Sequence, residues 1–269
     1  MKRWFIILAL LIYWTFCANV IGCLAQSDSI IIILTSPAHN GGFRSAAGDA
    51  VYNTERDKAA SSSIGNADEE LGQRLAGAVY GVYKIAITPI LTAFSSDTMQ
   101  VDSVILDFFG IADASAVDFY WAAYSFPFFG DLQTTDLDEW DGRQIGGAAH
   151  TGIRLTDSIT TLNYTAGYGN RLRFTPVGKD SIIEHLGDSL QLIIMSRQDV
   201  LAAAPAGEER ILVTIIGANE PKLIVYYTVI SEGDVLTGSR GTVLREATGK
   251  ELESHRRKQK HINKAHKKG

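Results

Sequence analysis

Hydrophobic positions fall into two regimes along this chain. From Trp4 to Val20 they run almost without interruption, and from about residue 30 to residue 230 they recur in short bursts, several alternating with polar residues. In Val82-Tyr83-Lys84-Ile85-Ala86-Ile87 the alternation has period two, which suits a strand in a sheet with one buried face. Bursts of this kind predict strands over 30–35, 79–87, 101–109, 117–124, 151–156, 170–175, 189–196, 210–216 and 222–230, with Gly, Asp, Asn, Ser or Pro between most of them. This spacing argues against strands that alternate with long helices. It predicts an all-β fold, an antiparallel β-sandwich, preceded by an N-terminal signal helix and followed by a basic tail. One short helix is expected over 178–186, capped by Asp180 or Ser181.

The first apolar run decides where that fold operates. Lys2 and Arg3 precede it and the small residues Gly22, Cys23 and Ala25 end it, the pattern of an export signal. Cleavage before Gln26 is one expectation. Val20-Ile21-Gly22-Cys23 also resembles the lipobox of bacterial lipoproteins, in which Cys23 is acylated. A retained run of about 20 apolar residues is long enough to cross a bilayer through the N-terminus. All three routes place the domain outside the cytoplasm, secreted or at the cell surface. Cys17 and Cys23 are the chain's two cysteines and both lie in this segment, so the exported domain is expected to rely on its core without a disulfide. The expected division is 1–25 as signal peptide or membrane anchor, 26–48 as linker or first edge strand, 49–230 as sandwich, and 231–269 as linker and tail.

Charge is segregated. Between residues 250 and 269 eight Lys or Arg stand against two Glu, a net of +6; with Lys2 and Arg3 also set aside, the whole-chain −5 leaves −13 for the middle. An acidic body favours solubility, and clustered carboxylates offer calcium the oxygen ligands it takes. The basic tail suits an anionic surface such as an envelope polymer, membrane headgroups or nucleic acid, held by salt-sensitive contacts. Thr248-Gly249-Lys250-Glu251 has the form of a capping box, but too few apolar residues follow it for a core-facing helix. His255, His261 and His266 do not align on one helical face, which argues against a metal site there.

The aromatic and acidic stretch 126–141 is the best candidate for ligand contact. Phe128, Phe129 and Trp140 offer ring faces for stacking on sugars, with Asp131 placed to accept hydroxyl protons. Asp136, Asp138 and Asp141 are the candidate calcium ligands, although Trp140 stands where an EF-hand loop needs its third oxygen. Core packing and a solvated turn are the competing reading of the same residues. Gly187-Asp188-Ser189-Leu190 spells the nucleophile block of a lipase family, yet it precedes an apolar strand and no Asp-x-x-His follows. A serine without an oriented base is a poor nucleophile. No catalytic residue is therefore assigned. Asn163-Tyr164-Thr165 forms a glycosylation sequon, meaningful in a eukaryotic secretory route.

Four landmarks carry a family resemblance: Val101-Asp102-Ser103-Val104-Ile105-Leu106, Asp136-Leu137-Asp138-Glu139-Trp140, Ser158-Ile159-Thr160-Thr161, and Pro221-Lys222-Leu223-Ile224-Val225-Tyr226-Tyr227-Thr228. In their order the chain resembles the jelly-roll sandwiches related to carbohydrate-binding modules and the DNRLRE-type domains of secreted and structural proteins, over roughly residues 49–229. The resemblance implies a binding or scaffolding role, which fold alone does not establish. The expectation is a non-enzymatic exported sandwich that binds a polysaccharide or another cell-envelope polymer. The alternative is a structural subunit of a surface appendage or viral fibre, which would be a homo-oligomer.

Overall fold

A computed structural model describes residues 27–34, 40–45, 48–57, 60–64, 67–92, 99–127, 131–140 and 142–229. The N-terminal segment expected to be a signal, with Cys23, the loop residues Phe128, Phe129 and Asp141, and the tail with its capping-box sequence and histidines lie outside the described residues. The strands are β1 (Ser27–Ile33), β2 (Gly41–Ser45), β3 (Ala60–Ile64), β4 (Asp68–Ala76), β5 (Val79–Ile87), β6 (Met99–Asp113), β7 (Tyr120–Ser125), β8 (Ile159–Thr160), β9 (Gly169–Arg173), β10 (Leu192–Ser196), β11 (Glu208–Thr214) and β12 (Lys222–Val229). Four short α-helices accompany them among the described residues: α1 (Tyr52–Asp57), α2 (Asp136–Glu139), α3 (Pro176–Glu184) and α4 (Arg197–Val200). The fold is all-β. Its strands pair antiparallel in one curled, half-barrel sheet with the order β1-β12-β6-β11-β4-β5-β10-β7-β8, while β2 and β3 branch from β5 and β9 from β6.

β6 is the strand on which the sheet turns. Its first part pairs with β12 and its last residues with β11 along one edge, while Ile105 to Phe109 pair with β9 on the other. Inward positions alternate through Val104, Leu106 and Phe108, and Val101, three residues back from Val104, is buried as well. A bulge makes this possible. Tyr226 opposes Ser103 and Tyr227 opposes Val101, so Asp102 is the extra residue and its side chain faces water.

The inward side chains of β6 and β12 meet those of β5, β7 and β10 in one apolar cluster, with Phe108 and Trp121 edge to face at 6.0 Å between ring centres. A second cluster lies on the other side of β5, β7 and β10. Ile85, Trp121, Ala123, Leu192 and Ile194 point into the first, and Ala86, Ala122, Tyr124, Ile193 and Met195 into the second. The expectation of one buried face for 82–87 is therefore corrected: the segment after β7 folds over the second face and contributes Leu132, Leu137 and Trp140. This cover brings Lys84 into the interior, at 2 % exposure.

Several expected elements are displaced. The stretch 151–156 makes isolated bridges, Tyr124 with Arg154 and Thr156 with Phe174, in place of a strand. α3 starts before Asp180 and Ser181: the Thr175 hydroxyl accepts the Gly178 amide at 3.1 Å, and Pro176 occupies the first turn, where its missing N–H costs nothing. β2, β3 and β4 carry no apolar alternation. In β4, Gly72 takes φ +123° where the Glu209 carbonyl would lie 2.0 Å from any Cβ, a contact only glycine permits.

Candidate functional site

Trp140, expected to offer a stacking face, is 2 % exposed. Its indole N–H donates to the Ser125 carbonyl at 2.9 Å, and its ring packs against Phe126 and His150. Gly142 and Gly152 let the chain close over that ring, since a Cβ at either would come within 2.4 Å of it. The indole is thus a packing residue of the second cluster. Asp136 is buried and accepts the Gln133 amide at 2.6 Å, and Asp138 pairs with Arg143. Asp131 is exposed, and its carbonyl accepts from the Gln133 side chain. Among the described residues, no three His, Cys, Asp or Glu side chains come together as a metal site. Ser189 bridges Ile90 in the turn that leads into β10, the place its sequence block suggested. Asn163 of the sequon is exposed in a 3-10 turn.

Beside the second cluster the structure assembles a buried set of charges that sequence order conceals. Asp199, at the end of β10 in α4, receives Arg56 Nε at 3.0 Å and Lys84 Nζ at 3.1 Å, with His150 Nε2 at 3.6 Å. Each of the four is at most 7 % exposed. The Ser196 hydroxyl caps α4 and accepts the Asp199 amide, fixing the carboxylate's position. Burial pushes the Asp199 carboxyl upward, but the pull of Lys84, His150 and Arg56 outweighs it and holds the group below the ordinary carboxylate range. Burial lowers Lys84 and His150 from their ordinary values, with Asp199 opposing both shifts. The His150 Nδ1 accepts the Gln144 amide at 3.3 Å, which leaves Nε2 to face Asp199. Enclosed on all sides, this cluster ties α1, β5, α4 and the segment around residue 150 together. Gln73 makes a neighbouring buried link, accepting from Tyr52 Oη at 2.6 Å and contacting Glu209 at 3.0 Å.

The accessible chemistry lies elsewhere. An open cleft of about 310 Å³ is lined by Arg44, Glu55, Glu70, Arg74, Tyr80, Tyr83 and Arg210, of which Glu55 and Tyr83 are themselves largely buried. Three strands and one helix supply most of these groups: β4 gives Glu70 and Arg74, β5 gives Tyr80 and Tyr83, β11 gives Arg210 and α1 gives Glu55. Register explains their meeting, because Gly72 stands opposite both Tyr83 and Arg210. Arg210 pairs with Glu70 and with Glu208, and it lies 5.7 Å from the Tyr83 ring centre. The Arg74 guanidinium lies 5.6 Å from the same ring and makes no ion pair among the described residues. Burial raises the Tyr83 phenol above its ordinary value.

None of these residues was legible as a site in the sequence. They are scattered from 44 to 210, and their one local signal, Glu70 and Arg74 four apart, reads as a helical pair, whereas the segment is a strand. No protein-family model matches the chain, and no curated protein matches it.

Proposed function

We propose that this is an exported, non-catalytic domain of the jelly-roll-like sandwich kind that binds carbohydrate or another cell-surface polymer, and that the cleft around Tyr83 is its binding site. The observation that carries this reading is the cleft's lining. Guanidinium, carboxylate and phenol groups converge on one open hollow, and a polyhydroxylated ligand needs such donors and acceptors beside aromatic edges. The apolar cluster in which inward side chains of β6 and β12 meet those of β5, β7 and β10 favours the sandwich. Export through 1–25, acylation at Cys23 and a calcium-dependent loop at Asp136, Asp138 and Asp141 belong to the same proposal.

A glycan array on the full chain, with and without calcium, tests it. Binding that disappears in Tyr80→Ala at unchanged melting temperature is the expected result. Binding that survives this change places the site elsewhere, and calcium dependence would return attention to the 126–141 loop.

One observation favours a second reading, that of a structural subunit. β1 ends the strand order, pairs with β12 alone among the described residues, and exposes Ile31 and Ile33 at more than half their surface. Such an edge can add a strand from a neighbour. Sedimentation of the full chain as a discrete oligomer, reverting to monomer in Ile31→Lys, would support this reading over the first.

A further inference from the structure

We infer that the cleft takes an acidic sugar, with the carboxylate of a uronate-type residue seated on Arg74. This rests on the binding function proposed above and names its ligand class.

Charge is the first ground. Arg44, Arg74 and Arg210 stand against Glu55 and Glu70 in the lining and Glu208 beside it, so the charges balance as a whole and the ground lies in how they are paired. Arg210 is committed to Glu70 and Glu208. Arg44 has a partner of its own. Arg74 is the cation whose charge no carboxylate answers among the described residues, and it is partly exposed on the cleft. A lone guanidinium in a hollow matches one monoanion, and its planar fork fits the two oxygens of a carboxylate.

Shape is the second ground. Tyr83 holds both guanidinium groups beside its ring, so Arg74 meets a ligand with part of its side-chain freedom already spent. Gly81 keeps the approach open. A Cβ there would lie 3.0 Å from the Tyr83 hydroxyl and 3.3 Å from Arg74 Nε, within the space where those two groups can hydrogen-bond a ligand. The volume of about 310 Å³ is at the small end for ligand sites, which suits one or two sugar units of a longer polymer. Tyr80 lies along the same wall, its ring edge to face with Tyr52 at 5.4 Å between centres, and the part of the ring left exposed can pack on a pyranose.

The test is calorimetric titration of the full chain with a short oligogalacturonate and with its fully methyl-esterified form, which keeps the size and removes the charge. The acid form should bind and the ester should bind about ten- to a hundredfold more weakly, the range expected for losing one charge-assisted hydrogen-bonded pair. Arg74→Gln should weaken the acid form by a similar factor and leave the ester unaffected, Arg74→Lys should recover part of the loss, and Gly81→Ala should weaken both forms. Melting curves of each variant check that the fold persists. Equal binding of acid and ester would overturn the acidic-sugar assignment while leaving a carbohydrate site in place. Acid-form binding unchanged in Arg74→Gln would overturn it too and assign the contact to the basic tail. If neither form binds and a glycan array is blank as well, the binding function itself fails.

Discussion

Asp199 is the residue on which the second face depends. Its carboxylate answers Arg56 and Lys84 at about 3 Å, and all three are withdrawn from water. Asp199→Asn keeps the volume but leaves two buried cations without a counter-charge, and should cost roughly 3 to 5 kcal/mol in a denaturant melt. Adding Lys84→Met to that variant should recover part of the loss, because one orphaned cation is then removed. A pH dependence belongs to the same residues. Asp199, His150 and Lys84 are all held below their ordinary values, so in each case the unfolded chain keeps a proton over a range where the folded chain has released it. Stability therefore rises with pH across each range and is lost on acidification. His150 governs the loss that begins as pH falls through about 6.5, and Asp199 the further loss below about 3.8. In melting curves taken between pH 7 and pH 5, His150→Gln should flatten the decline while the drop at lower pH persists. Sequence gave no hint of this cluster. Lys84 sits in an apolar alternation as though solvated, and Asp199 and His150 lie in stretches with no periodic signal.

Elements were legible where their own side chains alternate. β5 spans the predicted 79–87 without a shift, and β12, β11 and β6 differ from expectation mainly at their ends. β4 was missed because Glu69 and Gln73 are buried polar residues, and polarity within a strand looks like a loop until its partners are known. Its pairing with β11 from Arg74 to Asp68 supplies those partners. The cap of α3 shows the opposite error, since Asp180 and Ser181 are good capping residues that lie inside the helix. Thr175 holds the position because Pro176 follows it, and its hydroxyl also donates to the Leu155 carbonyl at 3.1 Å. Thr175→Ala should cost about 1 kcal/mol, read as a shift of the unfolding midpoint, whereas Ser181→Ala should leave the midpoint in place. An equal effect of the two changes would contradict the cap.

For the whole molecule, the acidic body and the basic tail make separable predictions. Deleting residues 250–269 should abolish any binding to heparin or anionic vesicles that weakens steeply with salt, and should leave the melting temperature of the body unchanged, because β12 closes the described unit at Val229. A body that unfolds on truncation would make the tail part of the fold. What the sequence determined by itself was what neighbouring residues can encode: an apolar N-terminal run, cysteines confined to its neighbourhood, period-two strands separated by turn residues, and hence the all-β class. Tertiary structure alone decided which of those strands are buried on both faces, that Trp140 packs inward, that Lys84 meets Asp199, and that residues from 44 to 210 share one cleft. The physical reason is register. Period two fixes the side of a strand a residue occupies, but the strand opposite it, and the segment that folds over it, are set by pairings between residues more than a hundred positions apart, which no local pattern contains.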